Sequence, residues 1–167
     1  MIKIRKQIDP DANAVKSIIA AATDELRTIY RPIKAKTQNK IENSISIVAV
    51  IEENIVGSAE YLICENNIVI RGLAVSNNHR KQGVAKTIIE HVMLIAQKEG
   101  KTELVLSTIK ETGNTNAFLH MGFTVASEVI SEIFEGAQGG QVTLVNMSKK
   151  WHNKSLNRIS AKNALPG

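Results

Sequence analysis

The sequence predicts a mixed α/β (α+β) domain, in which a twisted, mostly antiparallel sheet of roughly six to seven strands carries about four helices on its faces. Three observations predict it. Residues 46–52, 55–64 and 68–75 are β-rich runs separated by short polar turns. Two long segments repeat apolar residues at three- and four-residue steps, the spacing of one buried helix face. Finally, the apolar strand ending Leu73-Ala74-Val75 runs through a short basic loop into the second of those helices.

In chain order, Ile2-Lys3-Ile4-Arg5 alternates as a first strand. Asp9-Pro10 then reads as an N-cap followed by proline at the first helical position. Val15, Ile18, Ile19, Ala22, Leu26 and Ile29 give the first helix one apolar face, and Arg31-Pro32 interrupts the pattern. A more polar helical or loop segment follows over residues 33–43. Glu53-Asn54 and Asn66-Asn67 read as tight turns joining three antiparallel strands, and Gly72 marks a bulge or close backbone approach near the end of the third. From Gly83, the residues Val84, Ile88, Val92 and Ile95 form a broad apolar stripe closed by Glu99-Gly100. Leu104 to Thr108 is a compact buried strand, Asn114 to Met121 a short helix ending in Gly122-Phe123. Strands near 124–134 and 142–149 flank the loop Gly136-Ala137-Gln138-Gly139-Gly140.

Size and composition narrow the function classes. At 167 residues the chain is long enough to bury one core unaided. Hydrophobic residues make up 43% and charged residues 22%, which excludes wholesale disorder. Cys64 is the only cysteine, so there is no internal disulfide and no cysteine-rich metal site. His79 and His91 lack metal-ligand spacing, and no metal is expected. The N-terminus has no apolar signal core and the longest apolar run, Ile47 to Ile51, is far short of a membrane span, so a cytoplasmic protein without membrane contact is expected. The net charge of +5 favours anionic partners. Aromatic residues at 4%, none interleaved with basic ones, argue against a nucleic-acid module.

The basic loop is the informative segment. A helix start leaves about four backbone N–H groups without intrahelical partners and carries roughly half a positive charge, so it binds phosphate oxygens through the main chain. Gly83 has no Cβ to hold a ligand off, and Arg80, Lys81 and Lys86 add charge around the same turn. Such a turn suits a diphosphate. Neither G-x-x-x-x-G-K-[ST] nor G-x-G-x-x-G occurs in the chain, so P-loop and dinucleotide fingerprints do not compete.

The order Arg80-x-x-Gly83-x-Ala85 after Leu73-Ala74-Val75 resembles the acetyl-CoA signature of the GNAT acetyltransferase superfamily, Arg/Gln-x-x-Gly-x-Gly/Ala. The element Ala117-Phe118-Leu119-His120-Met121-Gly122-Phe123 is similar to the helix that commonly closes on Gly-Phe in those proteins. The resemblance covers most of residues 1–150, taken as one domain, with 151–167 a polar tail of no assigned function. It implies a sheet splayed near Gly72, with main chain at Leu73, Ala74 and Val75 pairing with the pantetheine arm of acetyl-CoA. It further implies cofactor contacts from Arg80, Lys81, Gln82, Gly83, Val84, Ala85 and Lys86, and from Asn114 and Phe118.

The implied activity is transfer of an acetyl group to a primary amine of an unidentified acceptor by direct attack, releasing CoA. Family members often place a tyrosine four residues before the Gly-Phe pair as general acid, and that position here is Phe118. Relatives also carry a glutamate shortly before the splayed Leu-x-Val, where this chain has Val69, Ile70 and Arg71. Glu60 on the preceding strand is then the candidate base, and Thr108 the candidate to orient an acceptor. His120 reads as a surface histidine, and Tyr30 and Arg31 as candidate contacts to an acidic acceptor. The acceptor pocket is expected from residues 24–45 and the late strands. Two alternatives stay open: a non-catalytic CoA-binding or regulatory domain, and a toxin-like acetyltransferase acting on aminoacyl-tRNA. Paired late strands could also form a homodimer across a twofold axis.

Overall fold

The computed structural model describes residues 1–34 and 43–152. Its elements are β1 (Lys3–Lys6), α1 (Ala12–Leu26), β2 (Tyr30–Pro32), β3 (Ile45–Ile51), β4 (Asn54–Ile63), β5 (Ile68–Val75), α2 (Val84–Lys98), β6 (Glu103–Ile109), α3 (Asn114–His120), β7 (Thr124–Gly136) and β8 (Gln141–Lys150). One sheet runs in the order β1-β3-β4-β5-β6-β8-β7-β2. Every neighbouring pair is antiparallel except β5 with β6. Among the described residues, no helix is long and apolar enough to cross a membrane. Most of the polar segment expected over 33–43 lies outside the described residues, as does the tail from 153. Trp151 at the start of that tail donates its backbone N–H to Thr102 O at 3.2 Å and packs on the core.

The sheet has eight strands because Tyr30–Pro32, read from sequence as the broken end of a helix, pairs with Phe134–Gly136. Proline is tolerated there because an edge strand does not need every N–H. Tyr30 meets Phe134 edge-on at 5.0 Å and Arg31 Nε donates to Glu135 Oε1 at 3.0 Å, so side-chain contacts add to the ladder of this short strand. The start of α1 also differs from expectation. Asp9-Pro10 opens a 3-10 turn over Asp9–Asp11 with Ile8 at its N-cap, and the Asp11 carboxylate reaches back to accept the Ile8 N–H at 2.8 Å. Arg5 donates to both Asp11 oxygens, at 2.7 and 3.0 Å.

Helix α2 buries Val84, Ile88, Ile89, Val92 and Ala96 against Ile47, Ala49, Val56, Ile68, Ile70 and Leu104 on one face of the sheet. Gly57 allows that packing. A Cβ there would stand 2.9 Å from Val84 Cγ1 and 3.3 Å from Ile88 Cδ1. The close approach brings the N-terminus of α2 down onto the ends of β4 and β5. Helix α1 covers the other face, with Val15 buried.

Candidate functional site

The site begins where two strands part. β5 and β6 pair only at Ile68↔Leu104 and Val69↔Val105, after which β6 stays with β8 as far as Ile109. On the other side of β5, Glu60 faces Arg71 while Ser58 faces Ala74, so β5 holds one extra residue between them. Gly72 lies in that bulge at φ +61°, a conformation glycine adopts without a Cβ penalty. The bulge turns Leu73, Ala74 and Val75 away from β6 and leaves the β6-facing edge of that segment without a strand partner among the described residues.

That opening leads into a cavity of about 410 Å³. Leu73, Ala74 and Val75 form one wall, Arg80, Lys81 and the Gly83–Lys86 turn a second, and Asn114, Ala117, Phe118 and Met121 a third; Ala22, Glu25, Leu26 and Ile29 of α1 close it. Lys81 at φ +60° and Gly83 at φ +83° turn the loop twice through the left-handed region before α2 begins. Among the described residues, the backbone N–H groups of residues 80–86 have no acceptor, whereas Thr87 donates both N–H and Oγ1 to Gly83 O, at 2.9 and 2.8 Å. No atom lies within 4 Å of where a Gly83 Cβ would be, so an approaching group meets bare backbone. Successive free N–H groups at the start of a fifteen-residue helix, with Lys81 and Lys86 beside them, suit a diphosphate.

Arg80 is engaged from outside the loop. Its Nη1 and Nη2 donate to Glu25 Oε1 and Oε2 at 3.0 and 2.6 Å, tying α1 to the turn. The hydrogen bonds from Arg80 hold the Glu25 carboxyl below the usual carboxylate range, and Glu25 in turn raises Arg80. Phe118 lies on the cavity wall, edge-on to Phe123 at 5.9 Å, and brings no hydroxyl.

The remaining sequence candidates fall elsewhere. Gln82 sits in the loop but off the cavity wall, its amide donating to Asn78 O at 3.2 Å. Thr108, half-buried on β6 opposite Val145, does not line the cavity. Thr112 does; its hydroxyl donates to Ile109 O at 2.6 Å and accepts the Asn114 N–H at 3.2 Å. Glu60 lines a separate cleft of about 690 Å³ beside α1, with Arg71 Nη2 at 3.7 Å. His120 Nδ1 lies 2.7 Å from Asn116 O, and Tyr30 and Arg31 are used in holding β2 to β7. Three cavity residues carried no signal as such in the sequence: Thr112, in a polar loop, Glu25, a charge on an exposed helix face, and His79, whose buried Nδ1 has no partner.

A profile of the Acetyltransferase (GNAT) family matches residues 13–123. N-acetyltransferase 8B of Rattus norvegicus is 42% identical over 52 residues, 30% of this chain and 23% of the relative. N-acetyltransferase 8 of the same organism is 36% identical over 62 residues, 36% of this chain and 28% of the relative. The matched segments thus span about a quarter of those proteins. Among solved structures, a GCN5-related N-acetyltransferase from Kribbella flavida superposes with a TM-score of 0.70 at 17% identity, covering 90% of this chain and 98% of that one. A ribosomal-protein-alanine N-acetyltransferase from Brucella melitensis superposes with a TM-score of 0.68 at 18% identity, over 89% and 99%. At such identities the likeness is one of fold.

Proposed function

The chain belongs to the acetyltransferase (GNAT) family, and from that premise we propose that it is an N-acetyltransferase that moves an acetyl group from acetyl-CoA to a primary amine. The observation that carries this reading is the run of N–H groups from Arg80 to Lys86 without acceptors, opening onto the parted edge of β5. Residues 1–150 act in it as one domain, and the single free Cys64 suits a reducing, cytoplasmic setting.

Bound acetyl-CoA would supply the activated acyl group as a thioester. The Gly83–Lys86 amides hold its diphosphate, with Lys81, Lys86 and Arg80 adding charge. The free edge at Leu73–Val75 pairs with the extended pantetheine arm as an added strand would. A backbone N–H near Leu73 stabilises the developing oxyanion, and Asn114 and Phe118 close the wall opposite. Phe118 offers no proton to the leaving sulfur, a deficit of only about 2 kcal/mol near neutral pH for a thiol of ordinary pKa. Glu60, from the cleft beyond the bulge, takes the proton of the incoming amine directly or through water.

The test is thermal melting with millimolar acetyl-CoA or CoA, where useful affinity raises Tm by several degrees. No shift would end this reading. The missing hydroxyl at Phe118 favours one second reading, a CoA-binding domain without turnover; cofactor stabilisation with no free CoA released across a broad amine panel would establish that one instead.

A further inference from the structure

The cleft beside α1 is built unlike the rest of the sheet. A Cβ on Gly57 would point at Val84 and Ile88 of α2, and side chains alternate along a strand. Ala59 and Tyr61 accordingly join the core on the α2 side, while Ser58 and Glu60 face α1. Ser46 lies directly across from Glu60 on β3. Beneath this part of α1 the polar Ser46, Ser58 and Glu60 thus stand beside the buried Val48 and Ala74, where an amphipathic helix would ordinarily meet apolar residues alone.

Two of these groups are left with unused capacity. Ser58 is 3% exposed and its Oγ has no hydrogen-bond partner among the described residues. A buried hydroxyl without a partner is costly and calls for an occupant. Glu60 faces Arg71 at 3.7 Å, too far for a hydrogen bond, so its oxygens keep their acceptor capacity. Ser58 and Glu60 stand two residues apart on one face, about 7 Å between their Cα atoms. Gly72 also lines this cleft, and its neighbour Leu73 lines the 410 Å³ cavity, so the two spaces adjoin at one peptide unit of the bulge.

We propose that this cleft receives the acceptor, and that the acceptor is a small aliphatic amine with a second hydrogen-bonding group a few carbons away. The ammonium is received by Glu60 and the second group by Ser58 Oγ, which places the nitrogen at the Gly72 bulge facing the neighbouring cavity. This inference rests on the acetyltransferase reading for its purpose, but binding at the cleft is measured independently of it.

The test titrates isotope-labelled full-length protein with aminopropanol bearing its amine and hydroxyl at opposite ends, and with the corresponding propanediol, following backbone amide shifts by NMR. Aminopropanol should shift the amides of Ser58, Glu60 and Gly72, and propanediol should bind at least about tenfold more weakly. Ser58→Ala and Glu60→Gln should each weaken aminopropanol about tenfold while CoA still raises Tm as in the parent. Equal binding of the diol, shifts confined to other parts of the sheet, or unchanged affinity in both variants would overturn the inference. Absence of a CoA-induced Tm shift would overturn the acetyltransferase reading instead, leaving the amine titration to judge the cleft.

Discussion

Glu25 and Arg80 form a bidentate ion pair, at 2.6 and 3.0 Å, that joins α1 to the turn before α2. Both guanidinium Nη atoms are spent on the carboxylate, so a phosphate approaching this turn competes with Glu25 for them. Removing the competitor with Glu25→Gln should raise CoA affinity roughly fivefold at low salt, and Arg80→Ala should lower it about tenfold, both by isothermal titration. A lower affinity in Glu25→Gln would instead mean that the pair orients Arg80 for the ligand.

Gly57 sets how closely α2 sits on the sheet. Its replacement by alanine would put a Cβ 2.9 Å from Val84 Cγ1 and 3.2 Å from Ala74 O, where the backbone oxygen cannot yield cheaply. Gly57→Ala should cost about 1–3 kcal/mol in chemical denaturation and weaken CoA binding by shifting the helix start. Unchanged stability would show that α2 moves without loss.

Gly83 adopts φ +83° with open space around its missing Cβ. Gly83→Val is strained by its backbone and also intrudes on an approaching diphosphate. The variant should keep its circular dichroism spectrum and lose the Tm rise given by CoA. Retained stabilisation would place the diphosphate elsewhere.

Phe118 stands on the cavity wall against Phe123. Phe118→Tyr adds a hydroxyl at the rim of that wall, and if the leaving sulfur passes there the turnover number should rise about tenfold or more with CoA affinity unchanged. Steady-state kinetics against a responsive amine reads the outcome, and an unchanged turnover number would show that proton supply to sulfur does not limit the rate.

The acid response follows from Asp11, whose pKa is held below the ordinary carboxylate range first by the hydrogen bonds from Arg5 and then by the Ile8 N–H. A depressed folded-state pKa contributes stability that is complete above the unfolded value of about 3.9 and is lost as pH falls through the folded value. Melting temperature should therefore drop less between neutral pH and strong acid in Asp11→Asn than in the parent, although the variant starts lower. Equal acid sensitivity would assign that response to other carboxylates.

Local chemistry made much of this protein legible from its residues. Val84, Ile88 and Val92 declare α2 by spacing alone, and the turn from Arg80 to Lys86 declares its unpaired N–H groups because helix ends are unpaired wherever they occur. Gly72 announced the bulge because an isolated glycine in a strand has few other uses. What stayed hidden depends on distant partners. Tyr30–Pro32 is too short and too proline-bound to read as a strand without seeing Phe134. Glu25 looked like any solvated helix charge until Arg80, 55 residues later, stood beside it. Glu60 and Thr108 show the same limit, because alternation gives the face a side chain takes but not which hollow that face adjoins.

The order of the sheet bears on how the polypeptide is made. β1 and β2 are its two outermost strands, yet both come from the first 32 residues, joined by α1 crossing between them. Tyr30–Pro32 cannot dock until Phe134–Gly136 has left the ribosome, whereas β1 can pair with β3 once Ile51 has emerged. Sealing of the β2 rim thus waits on a pairing between residues 104 apart, such as Arg31 with Glu135, a long-range contact of the kind that forms slowly.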